Sequence, residues 1–228
     1  MDFSLFGLLS WYLVFLFSLV VHEAAHSFVA WKLGDSTAHR GGQVTLDPYP
    51  HIKREPIGTV VLPLLLYMHS GWMIGWASAP FDPVWATKHP RRHALMALAG
   101  PASNLCIVLA TLILMKIGIL CGSFTSPIYP DSEHLVVSAS ANWLYVAARF
   151  LSIAFYLNII LFLFNLFPVP PLDGWSILKG VLPDALMGIH RQISVNPFLR
   201  WGGIIVAWLL FPTIGRPLLQ FAERLIDI

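Results

Sequence analysis

Four stretches of this chain stay apolar for longer than a soluble fold tolerates: residues 3–33, 93–120, 142–167 and 201–221. A helix that crosses a bilayer needs about 20 consecutive, mostly apolar residues, and each stretch supplies them. Gly34 caps the first as it leaves Lys32-Leu33. Pro168, Pro170 and Pro171 end the third, and Pro212 and Pro217 weaken the last. Only 11% of the 228 residues are charged, against 57% hydrophobic. A soluble domain carries roughly 25% charged residues, so this chain has too few to cover a wetted surface. The expected architecture is all-α: a polytopic membrane helix bundle of four to six membrane segments, forming one integral-membrane domain over residues 1–228. Residues 172–190 read as a short helix at the membrane surface. The start, Met1-Asp2-Phe3-Ser4, lacks a basic region, and no small-residue cleavage site follows. It therefore reads as a retained helix and not a signal peptide.

Residues 57–79 fit two paths. The run Ile57-Gly58-Thr59-Val60-Val61-Leu62-Pro63-Leu64 could begin a single spanning helix, or a re-entrant hairpin broken at Ser70-Gly71. Loop charges favour the hairpin. Lys32, Arg40, Lys53 and Arg54 precede it, and Lys88, Arg91 and Arg92 follow it. Lys179, Arg191 and Arg200 mark a third basic stretch, whereas residues 121–141 carry no Lys or Arg. Basic loops stay cytoplasmic, which places both flanks of 57–79 on that side. The first and third apolar stretches then run from outside to inside.

Within the first stretch stands His22-Glu23-Ala24-Ala25-His26, an HExxH. On a helix, positions i and i+4 share one face, so two imidazoles can reach one tetrahedral ion. The glutamate between them can act as general base on water at the metal. Ionisable groups at membrane depth cost about 2.5–3.5 kcal/mol each on insertion scales. Three of them within five residues call for a metal or partners. A catalytic zinc site takes a third protein ligand. Asp173 is the leading candidate, closing the third apolar stretch in Pro168-Val169-Pro170-Pro171-Leu172-Asp173-Gly174. The prolines force extended backbone, which can carry a carboxylate back toward a metal. Taken alone, Asp173 reads more readily as the N-cap of a helix starting at Gly174-Trp175. Beside an HExxH that is one ligand short, and at the same cytoplasmic depth, the ligand reading is the stronger.

The pairing of this HExxH with Asn165-x-x-Pro168-x-Pro170-x-Leu172-Asp173-Gly174 resembles the site-2 protease family of intramembrane metalloproteases. Gly100-Pro101-Ala102-Ser103-Asn104 is similar to the family's central-helix signature, and the likeness extends over roughly residues 15–178. The resemblance implies hydrolysis of peptide bonds in or next to transmembrane segments of other proteins, with Zn2+ held by His22, His26 and Asp173. It implies Glu23 as the base and Asn165 as a second catalytic group that orients the substrate backbone or stabilises the oxyanion. An interhelical hydrogen bond is the alternative for Asn165. The pattern departs from larger members, since no peptide-binding or nucleotide-sensing module is recognisable.

Asn104 is a weaker candidate for substrate contact, and structural packing is the stronger reading for it and for Asn158. His51 and His69 lie in the region expected to line the site and are candidates for substrate or secondary metal contact. The net charge of +2 gives no basis for a nucleic-acid partner. Cys106 and Cys121 lack CxxC spacing and read as free thiols. Three rival readings remain: an inactive scaffold of the same fold, a metal-ion transporter, and a protease acting on peptides at the membrane surface. A transporter needs polar ligands along a crossing path, and 93–120 and 142–164 contain almost no acids. The expected location is a multi-pass, prokaryotic cell membrane with the site toward the cytoplasm.

Overall fold

The computed structural model describes residues 4–140, 142–182, 188 and 196–226. In chain order the helices are α1 (Leu5–Lys32), α2 (Thr37–Arg40), α3 (Pro48–Arg54), α4 (Leu62–Ser70), α5 (Pro83–Lys88), α6 (Pro90–Leu120), α7 (Trp143–Asn165), α8 (Asp173–Val181) and α9 (Pro197–Arg224). A π-helical turn, Ile57–Val61, leads into α4. Among the described residues, α1, α6, α7 and the Gly202–Arg224 part of α9 are long and apolar enough to cross a membrane. The fold is an all-α polytopic bundle, as expected. The surface helix α8 ends at Val181; residues 183–187 and 189–190 of that expected stretch lie outside the described residues.

α1 is built inside-out relative to a soluble helix. Leu5, Leu9, Leu13 and Phe17, one turn apart, are all at least half exposed. Its buried face instead carries Ser10, Ser18, His22, Glu23, His26 and Ser27. Lipid is as apolar as leucine, so the hydrocarbon solvates the outward stripe, and the polar groups are satisfied only within the bundle.

α6 packs against α1, α7 and α8 and so forms the middle of the bundle. His26 meets Met96 while His22 meets Asn104, so α6 runs antiparallel to α1. Arg149 lies by Gly7 and Asn158 by Ser18, so α7 runs parallel to α1. α9 returns along α7, with Phe211 against Phe164 and Phe167. This alternation brings the end of α7, and the loop after it, level with the C-terminal half of α1. At the opposite end, Glu133 of the 121–141 loop accepts from Trp11 Nε1 at 2.7 Å and pairs with Arg149, fastening that loop to α1 and α7.

Residues 57–79 form a hairpin. The helical arm, Ile57–Ser70, is about 21 Å long at roughly 1.5 Å per residue, short of a hydrocarbon core about 30 Å thick. Gly71 breaks it with φ +72°, in the left-handed region that glycine adopts without strain. The chain then returns extended until Trp76 N donates to Gly58 O at 3.1 Å. Arm and return touch so closely that a Cβ on Gly58 would overlap the Trp76 carbonyl, and one on Gly75 the Gly58 carbonyl. The break falls at Ser70-Gly71, and the geometry matches the re-entrant path over a single crossing. The tip lodges between α1 and α7, where Trp72 contacts the rings of Trp11 and Tyr156. Met73 is buried there with Trp11, Phe15, Ile153 and Leu157.

Candidate metal centre

The helical spacing of His-Glu-Ala-Ala-His sets the first half of the site. α1 passes through it without interruption, and both imidazoles and Glu23 are buried. His22 Nε2 and His26 Nε2 lie 2.9 Å apart, with the rings edge to face. His22 stands ten residues before Lys32, about 15 Å inside the helix end.

The second half comes from the loop after α7. The proline run gives no helix, and Leu172 is extended at φ −70°, ψ 158°. α8 then begins at Asp173, whose Oδ2 lies 3.2 Å from His22 Nε2 and 3.3 Å from His26 Nε2. The N-cap position belongs to Leu172 and holds no side-chain bond, so the Asp173 carboxylate is not spent on capping. Three glycines set its approach. A Cβ on Gly174 would overlap the Leu166 and Phe167 carbonyls, one on Gly180 would overlap Ala94 of α6, and one on Gly203 of α9 would overlap the Pro170 carbonyl.

The donor set fits a zinc ion. His26 Nδ1 is 2.8 Å from the Met96 carbonyl, an acceptor, so that nitrogen carries the proton. His22 Nδ1 is 2.6 Å from Asn104 Oδ1, also an acceptor. In neutral rings both Nε2 atoms are then bare lone pairs, and they face each other and a carboxylate oxygen. Such a cluster needs a cation at its centre. Zinc bonds of 2.0–2.1 Å in tetrahedral geometry separate the ligand atoms by about 3.4 Å, close to the spacings found here. Glu23 offers a carboxylate oxygen within 4.8 Å of a ring nitrogen of each histidine. Its Oε2 is buried and, among the described residues, has no hydrogen-bond partner. That suits a group kept free for proton transfer.

Gly100 of α6 closes the site. A Cβ there would overlap the Nε2 atoms of both His22 and His26. Overpacking a tight site costs about 1–3 kcal/mol, and 1.4 kcal/mol is tenfold in affinity. Gly100→Ala is therefore expected to weaken Zn2+ binding about tenfold or more with helix content unchanged, as read by chelator competition and circular dichroism.

The other expected site residues are placed as follows. Asn165 ends α7, and its amide donates to Leu161 O at 2.9 Å, within its own helix. Asn104 is fully buried and holds His22. His51 is buried on α3, with Nε2 3.2 Å from the Thr45 carbonyl and Nδ1 unpartnered among the described residues. His69 is exposed near the turn of the hairpin and is not brought to the centre. Cys106 and Cys121 are free and exposed. The sequence reading left Asn158 to packing and missed the Met96 carbonyl. Asn158 did carry a signal, as an amide in the middle of an apolar segment. A backbone carbonyl carries none.

The sequence matches peptidase family M50 over residues 10–209. It is 33% identical over 196 residues to "Putative zinc metalloprotease YwhC" of Bacillus subtilis, covering 86% of this chain and 77% of that one. It is 32% identical over 204 residues to "Putative zinc metalloprotease Rip2" of Mycolicibacterium smegmatis, covering 88% of this chain and 66% of that one. The Mycobacterium tuberculosis protein of the same name is 34% identical over 166 residues, 72% of this chain and 54% of its own length. No solved structure matches significantly.

Proposed function

The chain belongs to peptidase family M50, the site-2 proteases, and on that premise we propose that His22, His26 and Asp173 hold its zinc and Glu23 acts as the base. The protein is an intramembrane zinc metalloprotease. The observation that carries the residue assignment is the convergence of two bare imidazole nitrogens and one carboxylate oxygen within 3.3 Å, inside an apolar bundle.

When bound, zinc supplies Lewis acidity, polarising a peptide carbonyl and lowering the pKa of water to about 7. The chain's residues do the rest. Glu23 takes the proton from the attacking water and delivers it to the departing amide nitrogen. Asn165, in the last turn of α7, holds the substrate backbone near the scissile bond. A helical peptide bond is shielded by its own turn, so the substrate helix must unwind locally. The hairpin at 57–79, or the loop at 41–52, can pair with the extended strand. Basic residues on the loops at the site's end of the bundle favour a cytoplasmic opening, and the bacterial relatives favour a prokaryotic cell membrane. The substrates are transmembrane proteins, cut in or next to their membrane segments. A transporter is not favoured, because α6 and α7 contain no Asp or Glu.

The test reconstitutes the purified protein in liposomes with a transmembrane peptide, and with the same sequence as a soluble peptide. Cleavage is expected of the inserted peptide only, abolished by a zinc chelator and restored by added Zn2+. Cleavage that survives full zinc removal, or that favours the soluble peptide, overturns the proposal.

A further inference from the structure

We infer that Asn158 of α7, acting through Asn104 of α6, sets which nitrogen of His22 carries the proton, and so aims the bare Nε2 at the metal. The inference rests on the reading of His22 as a zinc ligand. It adds two positioning residues, neither of which touches substrate or metal.

The sense of the relay follows link by link. Asn158 Nδ2 donates to the Ala154 carbonyl at 2.8 Å, and a carbonyl can only accept. The amide of Asn158 is therefore oriented by its own helix. Its second N–H goes to Ser18 Oγ on α1, also at 2.8 Å. Asn158 Oδ1 must then face Asn104, and it accepts from Asn104 Nδ2 at 2.8 Å. That leaves Asn104 Oδ1 toward His22, 2.6 Å from Nδ1. The acceptor oxygen compels Nδ1 to hold the hydrogen, and Nε2 is left as a lone pair. Asn104, Asn158 and Ser18 are each fully buried, so no water competes for these bonds. A backbone carbonyl on α7 thus dictates the tautomer of an imidazole on α1. His26 needs no relay, because the Met96 carbonyl does the same work directly.

A metal-binding histidine commonly donates its other N–H to a carboxylate or carbonyl, and losing that partner typically costs 10–100-fold in metal affinity. Here the partner is a neutral amide. At membrane depth a carboxylate carries a burial cost that an amide avoids. An amide, however, can present either end to the histidine, which is why a second residue must orient it.

The experiment measures Zn2+ affinity by chelator competition on the full-length protein in detergent, with the absorption spectrum of the Co2+-loaded protein as a second readout. Asn104→Leu is expected to weaken Zn2+ binding 10–100-fold and to alter the Co2+ spectrum. Asn158→Leu frees the Asn104 amide to turn, and a loss of about 3–10-fold is expected, below the full cost of losing the partner. In the Asn104→Leu background, Asn158→Leu should cost nothing further, because the link is already broken. Asn104→Asp restores an acceptor for His22. Burial favours the neutral acid, whose O–H can donate to Asn158 Oδ1 as the Asn104 amide does, while its other oxygen accepts from His22 Nδ1–H, so affinity should return to within about threefold of wild type. Wild-type affinity in Asn104→Leu overturns the inference, as does a loss in Asn104→Asp as large as in Asn104→Leu. If Asn104→Leu does not fold, the Asn158→Leu and Asn104→Asp arms decide alone: a loss in the first with recovery in the second supports the relay, and any other pair of results overturns it. Failure of the underlying assignment looks different, since His22→Ala would then bind Zn2+ as tightly as wild type.

Discussion

Replacing Glu23 by Gln is expected to slow cleavage of a membrane-inserted peptide by about 1,000-fold while the protein keeps its full zinc content. General acid–base catalysis is worth roughly 10²–10⁴ in rate, and the substitution removes the proton acceptor without changing the shape of the side chain. Structural damage should be slight, because among the described residues Glu23 Oε2 makes no hydrogen bond that glutamine would lose. The measurement pairs initial cleavage rates in liposomes with zinc content from elemental analysis. A wild-type rate would remove Glu23 from the chemistry. A parallel loss of zinc would mean that the residue serves the metal and not the proton transfer.

Asp173→Ala should be the most damaging change to metal binding, lowering Zn2+ affinity by more than about 100-fold. Removing a group that merely orients a ligand costs up to about 100-fold, and removing a ligand outright must cost more. The two imidazoles would keep their places, since the Met96 carbonyl and Asn104 hold their far nitrogens. α8 should stay docked as well, because the close contacts at Gly174, Gly180 and Gly203 do not involve the carboxylate. Thermal unfolding of the zinc-free variant should therefore resemble that of zinc-free wild type, while chelator competition shows the loss. Unchanged affinity would place the third ligand elsewhere, and a collapse of the zinc-free fold would give Asp173 a structural role.

Much of this was legible in the amino-acid sequence. Apolar length alone located α1, α6, α7 and α9, because lipid requires long, internally bonded helices. The His22–His26 pair was legible because i and i+4 share a face on any helix. Asp173 was legible because three prolines before it exclude helix and leave extended chain. Each of these inferences spans only a few residues of backbone, where local geometry decides the outcome. The break at Ser70-Gly71 belongs with them, since a glycine after an apolar run marks a place where the chain can turn.

What remained needed the assembled bundle. No spacing shows that Asn104 faces His22, that the Met96 carbonyl faces His26, or that Gly100 leaves room beside both. Those facts depend on how α6 is rotated against α1. In a soluble protein the contrast between apolar and polar faces would set that rotation, but lipid and bundle interior are equally apolar and the contrast is lost. Small residues and buried amides fix the rotation instead, and their partners lie 54, 82 and 140 residues away along the chain. On the proposed assignment, the HExxH and the distant aspartate point to the metal and the base from sequence alone. The protonation of His22 and the closure of the site are decided only where three helices meet, because hydrogen bonds between helices are set by tertiary packing and not by local backbone geometry.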